Sequence, residues 1–134
     1  VMASFSFKPQ FIEPIRERRK VSTIRGSNRK VSVGERLHLF TGPRFRPEKL
    51  GTAEAVWVSA ITMDFESRVI MIPGRQMSSA REVDAFAADE GFADFDELVA
   101  FFRKLYATPA IPMRGFNGTL VKWGQTFTPR DTAP

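Results

Sequence analysis

Two apolar runs in the middle of the chain constrain the fold most. Residues 52–63 are rich in Ala, Val and Ile around Trp57, and residues 68–72 form a second run that ends at Pro73 and Gly74. Runs of this length bounded by turn residues are typical of buried strands, so the first predicts a long, largely buried strand. Shorter strands are predicted over residues 4–8, 21–25, 36–41 and 119–123. Because strands outnumber helices, the sequence predicts a small closed or half-closed β-barrel.

Three helical patterns accompany these strands. Residues 10–19 place apolar side chains at helical spacing, and Lys and Arg at the end of this helix suit the helix dipole. Residues 79–82 have the capping-box pattern that opens a helix, and a further helix is predicted to begin near Asp94. The last two helices are expected to cover a sheet face or a barrel end. The fold class predicted is therefore α+β, a small β-barrel with flanking helices.

Length and composition predict one domain. The chain has 134 residues and is 43% hydrophobic, which suits a single core; we expect this core over about residues 5–124 and a C-terminal tail over residues 125–134. No apolar run approaches a membrane span, and no secretory signal pattern is present at the N-terminus. These features predict a cytoplasmic location and no membrane partner. The oligomeric state is not predicted.

The scarcity of cysteine and histidine limits the kinds of active site and metal site that the chain can form. There is no cysteine, which excludes a disulfide, a thiolate metal site and a cysteine nucleophile. The single histidine, His38, argues against a histidine-rich metal site and against a serine–histidine triad. We therefore predict no metal and no cofactor.

Positive charge is concentrated in the N-terminal part. The first 50 residues hold 12 of the 20 basic side chains and only 4 of the 15 acidic ones, in a chain of net charge +5. This asymmetry favours an anionic partner, and nucleic acid is favoured over a membrane surface because no basic amphipathic helix is present. A solvated basic face with no specific partner remains the alternative.

The densest cluster of chemical groups lies over residues 16–26. From residue 21 onward, strand pleating puts Thr23 and Arg25 on one face and Ser22 on the other. A continuous strand would point Lys20 away from Thr23. The two side chains can converge if Lys20 lies in the turn between helix and strand, and this face is then a candidate site.

Glu90 occupies an unusual place in the second predicted helix. It lies four residues after Phe86 and seven after Val83, on the apolar stripe that should face the protein, and it is close to the helix C-terminus, where the dipole disfavours negative charge. A carboxylate in such a place is a candidate for function, and its pKa is expected to be raised unless a cation pairs with it. The alternative is that the helix frays before Glu90 and the side chain faces water.

Two further features suit a nucleic-acid ligand. The loop over residues 41–51, which contains Arg44 and Arg46, is expected either to reach over a bound anion or to be a solvated connection. Trp123, Phe116 and Phe127 are candidates for stacking on a base. With 13 phenylalanines in the chain, however, any one aromatic ring is more readily explained as core.

The residues over 20–25, preceded by a helix and followed by a Gly34-Glu35 turn into a strand, resemble the signature of the ASCH domain, a relative of the PUA RNA-binding domain. The signature is Gly-x-Lys-x-x-Thr-x-Arg, and the similarity runs from about residue 7 to residue 123. Arg18 stands at the glycine position, and Glu35 stands where the family often has Asp. The resemblance implies a PUA-like β-barrel with a cleft lined by the signature strand.

Some bacterial ASCH proteins are amidohydrolases that remove the acetyl group of N4-acetylcytidine with a Lys, a Thr and a Glu. Lys20 and Thr23 match the first two directly, and Glu90 matches the third by its place in the helical region. The resemblance thus implies hydrolysis of a modified nucleoside, in which Lys20 activates Thr23 or a water and Glu90 protonates the departing amine. Arg25 would stabilise the oxyanion or pair with Glu90.

The alternative is an RNA-binding module, with or without ribonuclease activity, since other ASCH proteins are regarded as RNA binders. Phosphates would then contact the basic residues of the N-terminal part. The predicted ligand-binding residues are Arg25, Arg29, Lys30, Arg44 and Arg46.

Overall fold

The computed structural model describes residues 2–26, 29–106 and 113–130. The strands are β1 (Met2–Phe7), β2 (Ser22–Gly26), β3 (Arg36–Thr41), β4 (Glu48–Glu54), β5 (Trp57–Asp64), β6 (Val69–Ile72), β7 (Arg75–Met77), β8 (Gly115–Lys122) and β9 (Thr128–Pro129). The α-helices are α1 (Ile12–Arg16), α2 (Ala80–Asp89) and α3 (Phe95–Leu105), and a short 3₁₀ turn (Pro9–Phe11) precedes α1. The predicted α+β class is confirmed.

The strands are paired in two sheets. One sheet has the order β1-β3-β4-β9, in which β1 runs parallel to β3 and the other pairs are antiparallel. The second sheet has the order β2-β8-β5-β6-β7 and is antiparallel throughout. In the described part of the chain, no backbone ladder joins the two sheets into one closed barrel.

Among the described residues, one apolar cluster joins both sheets to the helices. Leu37 and Leu39 alternate with less buried neighbours along β3, as the pattern of that strand predicts. Phe5 of β1, Leu120 of β8 and Phe95 of α3 are fully buried in the same cluster. The core is therefore shared by the two sheets, and α3 packs into it.

The prediction of one long, largely buried strand over residues 52–63 is wrong. The chain leaves β4 after Glu54 and enters β5 at Trp57, whose side chain is 40% exposed. Along β5 only Ile61 and Met63 are buried, so one face of this sheet contacts the core and the other faces water. The apolar composition of the run concealed this alternation, because small residues such as Ala60 are tolerated on a solvated face.

The predicted helix over residues 10–19 is shorter than expected, and its end positions Lys20. After α1 ends, the backbone amides of Arg19 and Lys20 both donate to the carbonyl of Pro14, at 2.8 and 2.9 Å. Arg18 has a φ of 63°, in the left-handed region where glycine is favoured. This tight reversal places Lys20 two residues before β2.

The end of α2 positions Glu90. The capping box predicted at its start is present, with reciprocal bonds between Ser79 and Glu82. At its other end Glu90 is the C-cap, and Gly91 follows with a φ of 93°, the usual way for a helix to end at glycine. A Cβ at position 91 would lie only 3.1 Å from side-chain carbons of Lys20 and Phe11, so the glycine also eases the close packing of α2 against the turn before β2.

The last described residues belong to the first sheet. Thr128 and Pro129 of β9 pair with β4, and the amide of Arg130 donates to the carbonyl of Leu50 at 2.9 Å. Phe127 is buried in the core. The chain is thus integrated into the fold as far as residue 130, beyond the predicted start of the tail. No helix of the described ranges combines the length and the apolar character needed to cross a membrane.

Candidate active site

A cavity of about 530 Å³ opens where the turn before β2 meets the ends of α2 and α3. Lys20, Thr23, Arg25 and Glu90 all line it. Their side chains come from the turn, from β2 and from the C-cap of α2, which are distant in sequence. The cavity therefore brings together the three predicted catalytic residues and one predicted ligand-binding residue.

Lys20 is almost completely buried, with 3% of its surface exposed. Its Nζ donates to the backbone carbonyl of Glu90 at 2.7 Å and lies 3.7 Å from Oε1 of the same residue. The ammonium group also lies over the rings of Phe11 and Phe7, at 4.8 and 5.6 Å from their centroids. Burial lowers the pKa of Lys20 to about 8, although the negative charge of Glu90 opposes this shift. A neutral amine is thus accessible near physiological pH.

Glu90 is 2% exposed, so its side chain faces the protein and not water. Burial raises the pKa of Glu90 above its ordinary range, and the opposing influences are the charge of Lys20 and a hydrogen bond from Ser22. The Ser22 hydroxyl donates to Oε2, while Oε1 faces Lys20. The backbone amide of Val21 donates to the carbonyl of Asp89, which fixes the end of α2 against the start of β2. Lys20 and Glu90 are therefore a coupled, buried acid–base pair.

Thr23 and Arg25 are neighbours on the same face of β2. The Nε of Arg25 donates to the hydroxyl oxygen of Thr23 at 3.0 Å. No hydrogen bond joins Arg25 to Glu90 among the described residues; instead its terminal nitrogen donates to the carbonyl of Ser6 at 2.9 Å. Burial, followed by repulsion from Arg29, lowers the pKa of Arg25 to about 10. At neutral pH Arg25 therefore supplies a fixed positive charge beside Thr23.

Arginine side chains connect the two sheets beside the cavity. Arg25 and Arg29 donate to the carbonyls of Ser6 and Ser4 on β1. Both guanidinium groups also stack on the ring of Phe5, at 5.0 and 4.6 Å. Side chains thus occupy the position where backbone pairing between β1 and β2 would have closed a barrel.

Aromatic rings form much of the remaining cavity wall. The rings of Phe11, Phe92 and Phe101 meet mostly edge to face with centroids 5.3–5.4 Å apart. Further apolar wall residues are Phe7, Phe102, Leu105 and Tyr106. Two of the aromatic residues suggested by the sequence for base stacking, Trp123 and Phe127, are instead buried in the core. The third, Phe116, packs against wall residues Phe102 and Tyr106.

The other predicted ligand-binding residues lie outside this cavity. Arg29 and Lys30 line a separate open groove of about 940 Å³ together with Arg36. Arg44 and Arg46 are exposed in the loop between β3 and β4, whose residues Gly42 and Pro43 reach the rim of the cavity. Of the predicted ligand-binding residues, the structure therefore places only Arg25 in the cavity and the others on the surrounding surface. Nowhere in the described ranges do three or more His, Cys, Asp or Glu residues meet in a geometry that could hold a metal ion.

The sequence reasoning missed Ser22. Strand pleating assigns it to the face opposite Thr23, and the site was expected on one face only. The structure shows that the hydroxyl meets Glu90, which lies 68 residues away in the chain. The available signal was that Ser22 shares a strand face with Ile24. If that face is buried, the hydroxyl requires a partner.

Comparison with known proteins identifies the class of fold. The structure matches the "Crystal structure of ASCH from Zymomonas mobilis" with a TM-score of 0.51 over 99% of this chain and 69% of that chain, at 15% sequence identity. This chain therefore has the fold of an ASCH domain, and the ASCH resemblance of residues 20–25 is supported at the level of the fold. No family model matches the sequence, and no curated protein matches it either.

Proposed function

We propose that the chain is an amidohydrolase that removes the acyl group of N4-acetylcytidine or a related acylated base. The observation that carries this proposal is the meeting of Lys20, Thr23 and Glu90 in one cavity, with a buried amine and a buried carboxyl in contact. Amide hydrolysis needs a base at the attacking oxygen and an acid at the leaving nitrogen, and such a pair supplies both.

The reaction begins with attack of a water on the amide carbonyl carbon. Neutral Lys20 takes a proton from this water, and Glu90 gives its proton to the exocyclic nitrogen as the carbon–nitrogen bond breaks. The products are the free amino base and acetic acid, which loses its proton to the solvent, and the proton on Lys20 returns to Glu90. The reaction needs one proton, which the two groups share. Because Lys20 and Glu90 interact closely, their protonation steps belong to the pair and not to either residue alone.

Thr23 and Arg25 stabilise and orient in this scheme. Because the Thr23 hydroxyl oxygen already accepts a bond from Arg25, the hydroxyl hydrogen is available to a water or to the substrate carbonyl. Arg25 places a positive charge where the tetrahedral oxyanion develops. We assign Thr23 as orienter and a water as nucleophile, since no hydrogen bond joins Lys20 to Thr23 in the described structure. The aromatic walls suit a flat heterocycle, and 530 Å³ falls within the range of small-molecule sites.

The test is chromatographic. Purified protein is incubated with N4-acetylcytidine, and release of cytidine is followed for the parent, Lys20→Ala and Glu90→Gln. Turnover by the parent and loss in both variants supports the proposal. Absence of turnover by the parent rejects this nucleoside as substrate. A mass increase corresponding to an acetyl group on Thr23 during the reaction would overturn the assignment of water as nucleophile.

A second candidate function, RNA binding, is favoured by one observation. The groove lined by Arg29, Lys30 and Arg36 lies next to the cavity, because Arg29 and Arg25 stack on the same ring. Phosphate contacts in the groove would make RNA affinity fall with salt, with a slope of about −0.7 per contact for a single strand. Turnover of the neutral nucleoside should be nearly independent of salt. Fluorescence titration of a short single-stranded RNA between low and high salt distinguishes the two functions.

A further inference from the structure

Ser22 makes a contact that the proposed reaction does not yet use. Its side chain is 1% exposed, and its hydroxyl donates to Oε2 of Glu90. The described residues that line the cavity include Glu90 but not Ser22. We therefore expect Ser22 to act on catalysis through Glu90.

The two oxygens of Glu90 have different partners. Oε2 contacts the Ser22 hydroxyl, whereas Oε1 faces the ammonium of Lys20 at 3.7 Å. Further charges around the carboxyl are those of Arg25, Asp89 and Lys122. Among the described residues, only Ser22 holds the carboxyl through a group that is itself uncharged in this pH range.

We propose that Ser22 is a positioning residue that holds Glu90 in one orientation in both its charged and its neutral form; this inference rests on the proposed function. The hydroxyl donates to Oε2 when Glu90 is a carboxylate. When the carboxyl is protonated on Oε1, the oxygen that faces Lys20, the same hydroxyl still donates to Oε2. The carboxyl can therefore gain and lose its proton without turning away from Lys20 and the cavity.

The kinetic test compares Ser22→Ala with Ser22→Thr, which keeps the hydroxyl. We expect Ser22→Ala to lower kcat roughly tenfold, the usual size of losing a hydrogen bond to a charged group, with KM nearly unchanged. The bond favours the charged form, so its loss raises the pKa of Glu90 and moves the acidic limb of the pH–rate profile to higher pH. Ser22→Thr should restore both values.

Thr41→Val is the matched control, because it removes another buried hydroxyl, one that donates to the carbonyl of Phe7. It should lower stability without moving the acidic limb. Equal profiles for Ser22→Ala and the parent, or an equal shift in Thr41→Val, would overturn the proposal. Ser22→Cys, which keeps the volume and weakens the donor, gives a second reading in the same direction if the alanine variant does not fold.

A second measurement separates this inference from the proposed function. The ¹³C resonance of the Glu90 carboxyl, assigned by its absence in Glu90→Gln, is titrated in the parent, Ser22→Ala and Ser22→Thr. An upward pKa shift in the alanine variant alone supports positioning even if the parent does not turn over N4-acetylcytidine. No shift overturns the role of Ser22 even if the parent is active.

Discussion

The cavity and the surface loop between β3 and β4 both contain cationic side chains, but the surroundings of these side chains differ. Lys20 is enclosed by two aromatic rings and by Glu90, and its pKa is lowered to about 8. Arg44 and Arg46 stand in water between β3 and β4, and neither makes an ion pair with another described residue. The comparison shows that enclosure, and not charge density along the sequence, separates a candidate catalyst from a cation that only attracts anions.

The largest expected effect comes from removing Lys20 from the enclosed pair. Lys20→Ala should abolish turnover and lower the free energy of unfolding by about 3 kcal/mol, because it leaves a buried carboxyl without its cation. Release of cytidine and urea denaturation measure the two effects. Glu90→Gln is the matched variant: it should also abolish turnover while keeping the shape of the side chain and an oxygen for Ser22. Turnover by either variant would show that the enclosed pair is not the catalyst, and the contrast between Lys20 and the exposed arginines would then have no functional meaning.

The next effect depends on pH. The active form of the pair holds one shared proton, and this proton is lost as pH rises through the lowered pKa of Lys20, about 8. Turnover should therefore fall above pH 8, approaching about tenfold per pH unit. At the acidic side, turnover falls as a second proton binds Glu90 below its raised pKa. A profile of kcat/KM with no fall between pH 8 and 10 would contradict the assignment of Lys20.

Changes in the surface loop should be smaller. The double variant Arg44→Ala, Arg46→Ala should change turnover of the neutral nucleoside by less than about threefold, since exposed charges are screened by solvent and salt. The same variant should weaken binding of single-stranded RNA if the loop contacts phosphates. Comparing the two readouts at one salt concentration sharpens the contrast between enclosed and exposed cations. A tenfold loss of nucleoside turnover would place the loop in the site.

The smallest effect concerns the turn that places Lys20. Arg18 adopts a left-handed conformation, and its guanidinium donates to the carbonyl of Phe127. Arg18→Gly and Arg18→Ala both lose this bond, but only glycine removes the backbone strain. The glycine variant should therefore be about 1 kcal/mol more stable than the alanine variant. Equal midpoints of urea denaturation would argue against the strained turn.

Local patterns predicted the elements near the site well. The stripe through Val83 and Phe86 correctly predicted that Glu90 faces the protein, because three residues on one helical face share an environment. Reasoning from the turn also indicated how Lys20 and Thr23 could converge. Both inferences depend on residues close in sequence, where spacing determines direction.

Contacts between distant elements were beyond the reach of the sequence. Nothing local indicated that β2 would meet the end of α2, so the bond from Ser22 to Glu90 was missed. The same holds for the walls of the cavity, where Phe101 and Tyr106 of the α3 region meet residues as distant in sequence as Phe11. The exposed face of β5 was missed because solvent exposure depends on what packs against the sheet.

The arginines that join the two sheets have a consequence for association between molecules. β1 is an edge strand, and the carbonyls of Ser4 and Ser6 on its free side would otherwise be available to a strand from another copy of the chain. Arg29 and Arg25 occupy these carbonyls, and their charges and bulk stand where a neighbouring strand would have to lie. The residues that flank the cavity thereby also oppose pairing of another strand with this edge of the first sheet.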